Sequence, residues 1–271
     1  MFALEEHHWW CRALRQRIIS AIDAWGAWPA AGSRERGGDH GAAARDPHLR
    51  CLDAGCGSGM LLTAMGDRFL SVGLDFSAEA LRLARRRALS RLVRASIVTL
   101  PVRSESLDII LSADVLYHRG VPDDLAALRE AARCLRPGGL LVVNLPAFAW
   151  LRSTHDEAIH TARRYTAREV RTKLARAGLR PLQVGYWNTL LFPPLVMLRL
   201  LRRWTAGRRD GSPGTPDTGI DAPGARSDLR PLPRWLNQSL AGLLALEARL
   251  CGTRARFGLS VFAVARKEVR C

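Results

Sequence analysis

Residues 52–59 read LDAGCGSG, and the way this stretch is read decides the fold. Gly55, Gly57 and Gly59 stand at alternate positions between a short apolar run at 50–54 and a helix-like segment that begins at residue 60. Lacking Cβ atoms, they let the backbone turn tightly from strand to helix and come close to a ligand. Asp75 closes the next apolar segment, LSVGLD at 70–75, twenty residues after Gly55. A carboxylate there can accept both hydroxyls of a ribose. A dinucleotide loop has to receive a pyrophosphate, which Asp53, two residues before the first glycine, would repel. That carboxylate suits a cationic ligand, such as a sulfonium cofactor with an amino group.

Outward from this motif the chain alternates strand and helix. A helix over 60–68, a strand over 70–75 and a helix over 78–90 capped by Ser77 are expected, then a short strand near 92–98. LDIILSA at 107–113 and LLVVNLP at 140–146 read as buried strands, with a helix over 121–135 between them that stops at LRPGG. Thr166 caps a helix over 166–177 that ends at Gly178, and a strand follows over 179–187. Continuous apolar strands alternating with helices predict a largely parallel sheet covered on both faces. Ahead of it, residues 3–25 carry apolar side chains at helical spacing. Behind it, helices over 189–204 and 234–250 flank a Pro- and Gly-rich linker at 205–233, and the strand 258–267 closes the chain. The expected layout is an N-terminal helix or lid at 1–28, a linker at 29–49, the main domain at 50–188 and 257–271, and an insertion at 189–256.

With 271 residues, 48% of them hydrophobic, the chain reads as an ordinary folded domain, and the disordered class is excluded for most of it. The net charge is +16, and all but two of the 41 basic residues are arginine. Genomic codon bias explains that composition, and so does a surface that attracts anions. Six cysteines show no C-x-x-C or Cys/His ligand spacing, so neither a disulfide framework nor a metal site is expected. No apolar run reaches membrane-spanning length and the N-terminus lacks signal-peptide character, so a cytoplasmic location is expected. The leucines of 189–204, edged by Arg199, Arg202 and Arg203, could lie on an anionic inner-membrane surface, cap the sheet or form a dimer contact.

Residues 51–146 resemble the core of the class I S-adenosylmethionine-dependent methyltransferases. DAGCGSG resembles the first motif of that family and GLDFS at 73–77 the second. LPVRSESLDIILSADVLYH at 100–118 and LRPGG at 135–139 resemble its later motifs in order and spacing. EEHHWWCRALRQRII at 5–19, STHDEAIHTARRYTAREV at 153–170 and YWNTLLFP at 186–193 are similar to a bacterial branch linked to glycan, lipid or secondary biosynthesis. The resemblance implies an α/β fold: a Rossmann-like, doubly wound, mostly parallel seven-stranded sheet with an N-terminal helix and a helical insertion before the last strand. It implies S-adenosyl-L-methionine as cofactor, with Asp53, Gly55, Cys56 and Gly57 around its methionine moiety. Asp75 would take the ribose, Phe76 the adenine face, and Asp114 the methionine end. Where the family often carries an acidic residue for the adenine amine, this chain has Ser96 and Ile97.

Candidate catalytic groups follow the strands. His118 could be a base for a hydroxyl acceptor or simply bond nearby backbone. His155, Asp156 and His160, followed by Arg163, Arg164 and Tyr165, lie where a loop leaves the carboxyl edge of the sheet. They could deprotonate and hold an acceptor, or form a solvated loop ahead of a helix cap. His7, His8, Trp9 and Trp10 could cover the site, or dock an aromatic stripe on the core. The expected acceptor is a small molecule or a lipid- or sugar-linked metabolite. The other readings are an RNA methyltransferase, for which no appended RNA-binding module is visible, and a non-catalytic partner subunit that keeps the fold.

Overall fold

The computed structural model of the chain describes residues 6–26, 49–197, 232–250 and 255–269. The linkers expected over 29–49 and 205–233 lie almost wholly outside the described residues, as does the latter part of the helix expected over 189–204. Helix α1 (Trp9–Trp25) comes first, followed by β1 (Arg50–Ala54), α2 (Met60–Met65), β2 (Leu70–Asp75) and α3 (Ala78–Arg85). Next are β3 (Leu92–Arg94), β4 (Leu107–Ala113), α4 (Asp124–Cys134), β5 (Leu135–Pro146) and α5 (Thr154–Ala158). The chain closes with α6 (Ala167–Arg176), β6 (Leu179–Trp187), α7 (Arg234–Leu250) and β7 (Ser260–Lys267).

The strands form one seven-stranded sheet in the order β3-β2-β1-β4-β5-β7-β6. Strands β1 to β5 pair in parallel, whereas β7 runs antiparallel to both β5 and β6. Strand β6 is therefore parallel to β5, and β1, β2, β4, β5 and β6 all end at one edge. That edge is where ligands bind in open α/β sheets.

The unbroken apolar runs of β4 and β5 are explained by what covers each face. Ile110, Leu141, Val143 and Leu145 point to a core shared with α4 and α6. Their neighbours Ile109, Leu111, Leu140 and Val142 point to a second core that receives Leu14, Ile18 and Ile22 of α1 and Leu244 of α7. With both faces covered, both parities of these strands are mainly apolar. Helix α1 thus docks on the sheet beside α7, with its buried residues Leu14, Ile18, Ala21 and Ile22 at helical spacing. Among the described residues no helix is long and apolar enough to cross a membrane.

Several boundaries differ from expectation for local reasons. Helix α3 ends at Arg85 rather than 90, because Arg86, Arg87 and Ala88 close i→i−3 turns and Ala88 enters the left-handed region at φ +59°. Helix α4 starts only at Asp124, where the Asp123 carboxylate accepts the N–H groups of Leu125 and Ala126. LRPGG is not a turn ahead of β5 but its bulged first stretch: Leu135 pairs with Leu107 and Leu140 with Ile109, so extra residues loop out of register. The Thr166 cap forms as the sequence suggests, and Glu169 completes it as a capping box.

Replacing the fully buried Ile110 by Ala is expected to cost about 2–5 kcal/mol in urea denaturation. Thr166→Ala, which removes only a cap, should cost about 1 kcal/mol.

Candidate active site

Four acidic or amide residues stand at the carboxyl ends of neighbouring strands: Asp53 near the end of β1, Asp75 at the end of β2, Asp114 just after β4, and Asn144 near the end of β5. The glycine loop between them is tied to β2, since the N–H groups of Gly55 and Cys56 both donate to the Leu74 carbonyl. Gly55, at φ +95°, has no room for a Cβ, which would fall 2.2 Å from Val115 Cγ2. Gly57, at φ +54°, has open space where its Cβ would project. One glycine therefore serves packing and the other leaves room for a ligand.

The Asp75 carboxylate organises the loop. Its Oδ2 accepts from Gly57 N–H at 2.9 Å and its Oδ1 from Ser77 N–H at 2.8 Å. Asp53 is different: it is 2% exposed, and among the described residues no donor or cation meets its carboxylate. Burial, and then the nearby Asp75 charge, push its pKa up from 3.8 to about 7. Asp114 sits in the left-handed region at φ +60°. Burial raises its pKa to about 7 against the opposing hydrogen bond from Asn144. That bond joins Asn144 Nδ2 to Asp114 Oδ1 at 2.9 Å, and Asp114 N–H donates to the Asn144 carbonyl at 3.0 Å. Cys56 is buried beside them, and desolvation drives its thiol well above the ordinary range, so it stays neutral.

Phe76 follows Asp75 with its ring 61% exposed at this edge. Its centroid lies 6.5 Å from that of His118, which is in turn 5.7 Å from His160. The loop after β4 is held against the later loop by Arg119 N–H donating to the His160 carbonyl and Ala162 N–H to that of Tyr117. His118 and His160 are thus brought together. Desolvation and then the His160 charge lower the His118 pKa. Its Nδ1 accepts from Gly120 N–H at 3.0 Å, which places the proton of the neutral ring on Nε2. Ser96 and Ile97 lie just past β3, where the Ser96 hydroxyl accepts weakly from Val98 N–H at 3.4 Å and Ile97 is buried in the core.

The remaining candidates face inward. Asp156 is buried in a bidentate pair with Arg164, at 2.7 Å to Nε and 3.0 Å to Nη2, and Arg164 also donates to the Ala147 carbonyl. Tyr165 is buried with its hydroxyl 2.8 Å from Asp124 Oδ2 and 3.1 Å from the Leu116 carbonyl. Burial pulls Asp124 upward, but bonds from Lys173 and Tyr165 and the charges of Lys173 and Arg163 outweigh it and lower its pKa. His155 belongs to α5, and its side chain lies outside the described residues.

Sequence reasoning passed over several groups. Trp187 at the end of β6 donates Nε1–H to Asn144 Oδ1 at 2.8 Å, and Trp10 stacks on it at 4.6 Å with an interplanar angle of 13°. Both groups could have been noticed, Asn144 as the one polar residue within LLVVNLP and Trp187 inside a motif segment. Arg87 pairs with Glu6 and donates to the Ser58 carbonyl, so the segment ahead of α1 is fastened beside the glycine loop. Asn237 of α7 accepts from Trp9 N–H at 2.8 Å and donates to the His7 carbonyl. An aromatic group also gathers here: Phe148 stacks on Tyr186 at 4.8 Å, and Phe192 contacts Phe148, Trp150 and Phe257.

Residues 52–143 match the sequence profile of the family described as a methyltransferase domain. A malonyl-[acyl-carrier protein] O-methyltransferase from Geobacter sulfurreducens is 29% identical over 217 residues, covering 72% of this chain and 73% of that protein. A ubiquinone biosynthesis O-methyltransferase from Idiomarina loihiensis is 31% identical over 112 residues, covering 38% of this chain and 45% of that one. The chain spans less than half the length of several curated relatives that it matches. In fold it is similar to a Galdieria sulphuraria protein named for sarcosine and dimethylglycine methylation, at 16% identity, a TM-score of 0.56, and coverage of 95% of this chain and 86% of that one. The motif order, the strand order with its antiparallel β7 and the profile match agree: residues 52–143 form a methyltransferase domain on the fold of the class I S-adenosylmethionine-dependent enzymes.

Proposed function

We propose that this chain transfers the methyl group of S-adenosylmethionine to a small molecule or a lipid- or sugar-linked acceptor. The observation that carries the reading is Asp53: a buried carboxylate, with no cation against it among the described residues, in a protein of net charge +16. Such a group is costly unless a cation meets it. The cofactor brings a charged amino group and a sulfonium to this edge, and the residues present fit it.

In this reading Asp53 and Asp114 face the methionine end, and the space over Gly57 admits it. Asp75 holds the glycine loop by two backbone bonds and has lone pairs left for ribose hydroxyls. The Phe76 ring offers a face to the adenine, flanked by Ser96 and Ile97 instead of a carboxylate. When bound, the cofactor supplies an electrophilic methyl group with a good leaving group, so the protein's work is alignment and exclusion of water. His118 donates through Nε2–H to an acceptor oxygen. His160, whose ring nitrogens meet no protein donor or acceptor among the described residues, is the group free to take its proton. Asp156 and Tyr165 act at one remove, by fixing the loop through Arg164 and Asp124.

We place the acceptor between the N-terminal helix, the loop 147–165 and the insertion 189–256. Trp150 is 50% exposed and Phe257 44%, and with Phe192 they offer an apolar wall. That wall suits an acceptor with a ring or hydrocarbon portion, which is consistent with the quinone and carrier-linked names of the two relatives.

Release of labelled methyl from S-adenosylmethionine should appear with polyprenyl- or ring-bearing acceptors. Trp150→Ala should raise the acceptor KM about tenfold and leave the cofactor KM unchanged. Transfer only to RNA, with steep salt dependence, would overturn the acceptor assignment.

Ionised Asp53 also weighs on the unliganded fold. Between about pH 4 and 7 the folded protein holds a proton on Asp53 that the unfolded chain does not, so this group makes stability fall as pH rises through that window. Asp53→Asn should therefore raise the Tm at pH 8 by about 2–4 °C or more, change it little near pH 4, and abolish cofactor binding.

A further inference from the structure

We propose that Asn144 and Trp187 are positioning residues for the methionine end of the cofactor site, and that Trp10 of α1 holds them in place. The N-terminal helix then sets the direction in which the Asp114 carboxylate points. This inference rests on the reading that Asp114 faces the cofactor.

Asp114 leaves β4 in the left-handed region, where nothing in a regular strand would fix its side chain. Asn144 holds it twice, by accepting its N–H at 3.0 Å and by donating Nδ2–H to Oδ1 at 2.9 Å. Among the described residues no donor reaches the other carboxylate oxygen. An asparagine amide can present either end, and only its NH₂ end can bond an ionised carboxylate. Trp187 settles the choice, since its indole N–H is a donor only and lies 2.8 Å from Asn144 Oδ1. Asn144 is 1% exposed and Trp187 2%. A leucine at 144 would avoid the cost of burying an amide between β4 and β7, so the amide needs a reason, and the bond to Asp114 supplies one.

The indole is itself held. Trp10 stacks on it at 4.6 Å, and the Arg17 guanidinium lies 5.1 Å from its ring centroid on the same helix, which is cation–π range. Burial lowers the Arg17 pKa to about 10, so it remains charged at neutral pH. The sequence of contacts Trp10–Trp187–Asn144–Asp114 joins four segments far apart in the chain. It ends on a group at the cofactor edge.

The test is calorimetric binding of S-adenosylhomocysteine to wild type and to Trp187→Phe, which keeps a stackable ring and removes the N–H. The expected result is about tenfold weaker binding, the worth of one buried hydrogen bond to a charged network. The pH at which binding is lost should also move upward, because Asn144 no longer holds the Asp114 pKa down. A merely structural role would lower the Tm without moving that midpoint. Trp10→Ala and Trp10→Phe carry the same test from the partly exposed end, where Ala should weaken binding and Phe should restore it. Variants that bind as tightly as wild type, with the same midpoint, overturn the relay and leave the cofactor reading standing. A folded wild type that binds neither S-adenosylmethionine nor S-adenosylhomocysteine overturns both.

Discussion

A carboxylate removed from water without meeting a cation is among the most expensive things a fold can contain. Asp53 is held in that state by the end of β1, with the Asp75 charge close enough to add to the penalty. Around it, among the described residues, nothing of the chain's own neutralises the charge. The loop amides that could reach into the site are turned to Asp75 and Leu74, and Asp114 is engaged by an amide rather than by an arginine. In a chain with 39 arginines this segregation is informative, because arginine is abundant nearly everywhere else. It is what a site for a small cation requires.

The rest of the architecture supports that edge. Strand β6 returns parallel to β5 only because β7 is inserted antiparallel between them, and this brings Trp187 and the loop after β5 to the same end as the glycine loop. Helices α1 and α7 pack on one face and are clasped through Asn237, while Glu247 of α7 accepts the N–H groups of Thr189 and Leu190 where the chain leaves β6. The N-terminal helix and the insertion are therefore not separate appendages. Helix α1 and the described part of the insertion share the second core with the central strands. The Asp156–Arg164 pair and the Tyr165–Asp124–Lys173 group do the same for the opposite wall, fixing the loop that carries His160.

Much of this was legible from the residues. The bounds of β2, β4, β6 and α7 match the apolar runs and their Gly or Pro punctuation, since in these segments periodicity and packing agree. The glycine loop and the carboxylates at 53, 75 and 114 lie at strand ends, as their motif spacing implies. What could not be read was partnership. Nothing local distinguishes Asp156, bound to Arg164 eight residues on, from a carboxylate open to an acceptor. The Tyr165 hydroxyl is committed to Asp124, 41 residues away, by packing that only the folded sheet creates. Asn144 was visible as a lone polar side chain in an apolar strand, but its partners come from β4 and β6. Boundaries were missed where backbone hydrogen bonding overrode propensity, as at Ala88 and in the bulged start of β5.

The charge at Asp53 can be measured directly when a cation arrives. At pH 6.5 the amino group of S-adenosylmethionine is already largely protonated, whereas Asp53, with a pKa near 7, is largely neutral in the free protein. Calorimetric titration in buffers of different ionisation enthalpy counts the protons that move on binding. If Asp53 meets the cation, binding releases a proton at pH 6.5 in Asp114→Asn protein as well as in wild type, and the release disappears by pH 8.5, where the carboxylate is already charged. Tight binding with no proton released at either pH would contradict the central claim that an unpaired buried carboxylate builds this site.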